Sequence, residues 1–218
     1  MANRLLVDRH ANGDVILKRF DRPGQEIPAP VAPVLEAFRG AHRSFVVADK
    51  AVTRAQIKEQ EGLKAVSRAD SILDKAIDDM ADELVGAKVT PRQSAFKGLS
   101  PHSPSEMKDL AFAKEAAAVG ALLDQIELSN PPEAVQAKAQ LLKEMSAAVQ
   151  EAIANHDVLA MAWAHALQKR DALFPAWDEA LDALKRKATG DFDKLTFNAL
   201  FAPPDLIHRP RKPRKKSA

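Results

Sequence analysis

Residues 33–52, "PVLEAFRGAHRSFVVADKAV", decide the fold. Phe38, Phe45 and Val52 recur every seven residues, and the series continues through Glu59, Val66, Leu73 and Met80. Three residues earlier runs a second series: Leu35, His42, Asp49, Gln56, Leu63, Asp70, Ile77 and Leu84. Beside it lies a strip of small side chains that includes Ala41, Ala48, Ala55, Gly62, Ala69 and Ala76. A sustained seven-residue repeat keeps one face of a helix against a partner. Small residues along that face let the partner come close. The spacing predicts one helix over 33–86, roughly 80 Å long at about 1.5 Å per residue.

Two further helices follow from their start signals. Ser103, Pro104 and Glu106 form a capping-box pattern that opens a shorter helix running to Leu128. "NPPE" at 130–133 reads the same way, with Asn130 as cap and Pro131 in the first turn. That third helix carries the repeat Val135, Leu142, Val149, His156, Trp163, Arg170, Trp177, Leu184, with a kink expected at Pro175 and an end at Gly190. Asp191 is expected to cap a short last turn. The connection 87–104 carries three prolines, and loops of this length are usually functional or mobile.

The N-terminal segment reads differently. In "RLLVDRHANGDVILKRF", residues 4–20, Asn12-Gly13 divides two short apolar runs. Asn-Gly is the favoured pair for a tight hairpin turn, because both positions need positive φ. A β-hairpin is therefore expected over 1–22, with Leu5, Val7, Ile16 and Phe20 on one face. A Pro-rich extended strap follows at 23–32. The expected fold is mainly α. It is an elongated helical bundle over 33–202, made of two long heptad-patterned helices and one shorter helix, with a small N-terminal β-hairpin.

Composition narrows the function. The chain has 218 residues and no Cys, which excludes disulfides, thiolate chemistry and Cys-based zinc sites. No apolar run reaches the roughly 18 residues of a membrane span. "MANRLLVDRH" lacks the apolar core of a secretory signal, so a cytoplasmic protein is expected. The net charge is +2, yet six positive charges and no acid lie from Arg209 onward, so the chain before Arg209 is net −4. Those six are Arg209, Arg211, Lys212, Arg214, Lys215 and Lys216, within a tail 203–218 read as disordered.

No chemistry-bearing motif emerges. Gly occurs only eight times and forms no phosphate loop. No His has a Glu three residues before it, as a di-iron bundle requires. His156 and His165 are nine apart and do not share a helical turn. His156 reads as a polar layer in the seam; the alternative is an acid–base pair with Asp70. Between 70 and 86 six acids face a single lysine, which reads as a solvated face or a docking end for a basic partner. Trp163 and Trp177, two heptads apart, read as packing anchors.

The shorter helix cannot cover both long ones, so part of an apolar seam is expected to stand open. The expected open stretch is Phe38, Phe45, Val46, Val47 and Val52. The sequence thus predicts a non-enzymatic assembly protein without metal or cofactor. Copies would meet through Leu5, Val7, Ile16, Phe20, Phe38, Phe45, Val46, Val52, Trp163 and Trp177, in a homo-oligomer or filament. The alternative is a nucleic-acid-associated protein, binding phosphates through the basic tail.

Overall fold

A computed structural model describes residues 2–202, and their side chains from Arg9 onward. Seven helices account for most of the described chain: α1 (Ala2–Phe20), α2 (Ala32–Gly86), α3 (Pro104–Lys108), α4 (Phe112–Leu128), α5 (Glu133–Asp171), α6 (Phe174–Asp191) and α7 (Lys194–Phe201). Among the described residues there is no strand, and no helix is long and apolar enough to cross a membrane. The chain divides into two compact units. The first comprises residues up to Thr53 and from His165 onward; the second is Arg54–Ala164. The long helices α2 and α5 contribute residues to both units.

The N-terminal hairpin is not formed: residues 2–20 are one helix. The reason lies in the spacing of the buried positions. Gly13, Ile16 and Phe20 follow steps of three and four, which is the helical period, and all three are buried. Gly13 is not a turn glycine. It lies against the imidazole of His42 on α2, so closely that an added Cβ would collide with the ring.

In the first unit Ile16 and Phe20 of α1 pack with Leu35, Phe38 and Phe45 of α2, Trp177 and Leu184 of α6, and Leu200 of α7. Val31 and Ile27 of the strap join this core, so the strap is packed against it. Arg19 is buried, and its Nη1 donates to the carbonyls of Leu200 (2.9 Å) and Ala202 (2.6 Å). A cation at these unsatisfied carbonyls stabilises the C-terminal end of α7. Desolvation, and then the neighbouring Arg22, push the Arg19 guanidinium below its ordinary pKa.

The second unit buries Leu73, Ile77, Met80 and Leu84 of α2 against Val119, Leu122 and Ile126 of α4 and Val135, Leu142 and Val149 of α5. The connection after α2 belongs to this core: Phe96 is buried in it, as is Met107 of α3. Lys88 takes positive φ just past α2, and the N–H groups of Val89 and Thr90 return to the Leu84 carbonyl. This is a common way to end a helix and turn the chain.

Several boundaries differ from the sequence reading. The shorter helix is two, α3 and α4, although its capping box between Ser103 and Glu106 is formed. Asn130 has φ +49° and closes α4 instead of capping α5, which starts at Glu133. Pro175 lies in the first turn of α6, where its missing N–H costs nothing, so the chain breaks at Ala172–Leu173 and not within a kinked helix. Asp193, not Asp191, caps α7 by accepting from the N–H groups of Leu195 and Thr196.

Candidate functional site

The residues expected to stand open are mostly covered. Phe38 and Phe45 are fully buried, and Val52, Ile16, Phe20 and Trp177 are also buried. Val46 is half-buried; Val47 alone of that stretch is well exposed, at 64%. The cover comes from α6. Phe38 and Phe45 lie edge-on or tilted to Trp177, and Phe45 also meets Phe174. The heptad that runs unbroken through Pro175 predicts one kinked helix; the turn at Ala172–Leu173 instead lets α6 pack on this face. Trp163 is half-buried, and its buried Nε1 has no hydrogen-bond partner among the described residues. The side chains of Leu5 and Val7, and the tail residues Arg209, Arg211, Lys212, Arg214, Lys215 and Lys216, lie outside the described residues.

Polar residues at seam positions are used as ties. Trp177 Nε1–H donates to His42 Nδ1 at 3.2 Å, which leaves His42 Nε2 to carry the ring hydrogen and donate to Asp14 Oδ1 at 2.9 Å. The chain of three joins α6, α2 and α1. Arg9 grips Asp178 with both Nε (3.1 Å) and Nη2 (2.9 Å), and its guanidinium lies 4.4 Å from the Phe174 ring centre. In the second unit His156 Nε2 meets Glu59 Oε1 at 3.1 Å. The partner of His156 is thus Glu59, not Asp70.

The acidic end of α2 is largely consumed inside the second unit. Asp78 holds Lys108 at 2.7 Å and Asp79 holds Lys138 at 3.1 Å. Asp70 and Asp74 face Glu115, which is fully buried in the first turn of α4. Both Glu115 oxygens, Asp70 Oδ1 and Asp74 Oδ1 are buried without a donor among the described residues. Burial, then the hydrogen bond and charge of Asp70, then Asp74, push the Glu115 carboxyl up to about 8. Burial and Asp70 also raise Asp74, against the pull of Lys108. A carboxyl kept protonated can donate to its neighbours, so the cluster shares a proton in place of an absent donor. Among the described residues no group of three or more His, Asp or Glu side chains is arranged to hold a metal ion.

One surface of the second unit is unlike the rest. Glu59 meets His156, and a Cβ on Gly62 would lie 2.8 Å from Leu159 Cδ1, so α2 and α5 run close together at this level. The strip of small residues does allow the close approach its sequence suggested. Here α2 between Arg54 and Ala65 contributes no buried side chain. Ile57 is 51% and Leu63 46% exposed on α2; Val158 is 60% and Met161 65% exposed on α5. Val158–Ala164, "VLAMAWA", is seven consecutive apolar residues, about two turns, so every face of α5 is apolar there. The seven-residue repeat conceals this, because it records only the side of α5 that meets α2.

No protein-family model, curated protein or solved structure matches the chain.

Proposed function

We propose that this chain is a non-enzymatic structural protein whose helices bring copies of itself together. One observation carries the reading: a stretch of α5 that is apolar on all faces, next to Ile57 and Leu63 of α2, with its outward side uncovered. A helix apolar all round belongs in an interior, and exposed apolar patches mark interaction sites. The surface differs from the one expected at Phe38–Val52, but the reason for expecting it is the same. A seam longer than its intrachain cover leaves apolar side chains for another copy. Light scattering across a concentration series tests the reading. A mass that rises with concentration to a multiple of 23.7 kDa supports it, and a constant 23.7 kDa removes it.

A second reading rests on the six basic residues between Arg209 and Lys216, which no acid interrupts. Such a segment binds nucleic acid through phosphate charge, with affinity that falls steeply as salt rises. Loss of a duplex-DNA gel shift on deleting 209–218 supports this reading; no shift of the full chain at low salt removes it.

A further inference from the structure

We propose that the start of α4 is a proton-operated latch on α2. While Asp70, Asp74 and Glu115 share a proton, the two helices stay closed. When it leaves, the first two turns of α4 lift away and uncover part of the second unit's apolar core. The latch does not depend on self-association.

Glu115 is fully buried, and neither of its oxygens has a donor among the described residues. Beside it, one oxygen each of Asp70 and Asp74 is buried in the same condition. Carboxylates that share a buried site without a cation cannot all ionise, so the cluster needs a proton to stay closed. The surroundings supply no substitute. The charges acting on Glu115 are those of Asp70 and Asp74 on α2. Lys108 of α3 acts on Asp74, but Asp78 already holds it at 2.7 Å. Lys114 of α4 is exposed. α5 meets this turn through an uncharged group, the Ser146 hydroxyl, which donates to the Ala116 carbonyl at 3.5 Å. Little else holds the start of α4. Its first two turns fully bury only Ala116 and Val119 besides Glu115, with Phe112 and Ala118 partly covered, whereas Leu122 and Ile126 anchor the last two. No side chain caps the helix at Ala111. Local opening falls where few apolar contacts hold the chain. The closed form keeps the proton up to about 8, and the open form, with Glu115 in water, gives it up near its ordinary 4.5. Opening therefore increases as pH rises between those values and levels off above the higher one.

The chain has no Cys, so one introduced thiol reports the opening. V119C places it under the latch, and I126C places it on the half of α4 expected to stay docked. A113C, at an exposed position of the same helix, corrects for the thiol's own ionisation. Labelling of V119C relative to A113C is expected to rise about tenfold or more from about pH 6.5 to about pH 9. Labelling of I126C is expected to change little. E115Q, neutral at both pH values, is expected to abolish the rise at V119C. Circular dichroism checks that each variant keeps its helices. If a cysteine variant loses them, amide protection of Ala116–Val119 relative to Leu122–Ile126 in the native chain and in E115Q makes the same comparison. Equal protection of V119C at both pH values overturns the latch. So does a rise that E115Q leaves in place, or one that I126C shares, since the whole unit then opens and not the start of α4.

Discussion

Gly13 occupies the point where α1 meets α2, and its missing side chain is filled by the His42 ring. In a helix interior Gly→Ala ordinarily gains about 1 kcal/mol. At Gly13 the methyl would drive His42 away from Trp177 and Asp14, so G13A is expected to lose about 1–3 kcal/mol, as overpacking does. Gly40, with nothing within 4 Å of its added Cβ, is the control, and G40A is expected to stabilise. Urea unfolding of the two variants checks the opposite signs. Glu115 sets a different test. Its carboxyl holds a proton up to about 8 in the folded chain, whereas in the unfolded chain it ionises near its ordinary 4.5. Between those values the folded state binds the extra proton, so stability falls as pH rises. Below 4.5 both states are protonated and the effect vanishes. E115Q keeps a neutral donor at all pH. It is expected to match the native Tm near pH 4 and to exceed it increasingly towards pH 9. A variant less stable than the native chain across that range contradicts the account.

At the scale of elements, the long helices were legible because repetition averages over local ambiguity. Phe38, Phe45, Val52, Val66, Leu73 and Met80 are all buried, as their period required. The first helix was not legible, because Asn12-Gly13 gives a strong turn signal. What outweighs it is the burial of Gly13, Ile16 and Phe20 against α2, α6 and α7, and sequence cannot show a long-range partner. The same blindness hid α6. Its heptad register runs on from α5 unbroken, so only the turn at Ala172–Leu173 reveals that Trp177 and Leu184 pack back onto Phe38 and Phe45. Arg19 offers a test of how α1 holds α7. R19M keeps the apolar stem and removes the Nη1 that donates to the Leu200 and Ala202 carbonyls at the end of α7. Amide exchange across Lys194–Phe201 is expected to accelerate in R19M, while α4, in the other unit, keeps its protection. Equal acceleration in α4 would mean that Arg19 supports the whole fold and not one element.

At the scale of the molecule, the described residues close two cores and leave the apolar stretch Val158–Ala164 of α5 partly outside them. The open surface was foreseeable from helix length, since α4 spans 17 residues against 55 in α2 and 39 in α5. Its position was not, because Phe38 and Phe45 look freest in the sequence and are in fact covered. Val158 and Met161 lie outside the seam, on the side of α5 that a repeat of seven does not report. Sedimentation velocity on the full chain, beside a V158D/M161D variant, is the most direct measurement. A wild-type species at a multiple of 23.7 kDa and a folded variant at 23.7 kDa are expected. A wild type that sediments as a 23.7 kDa monomer, or a variant that assembles as the wild type does, would contradict self-association through this surface.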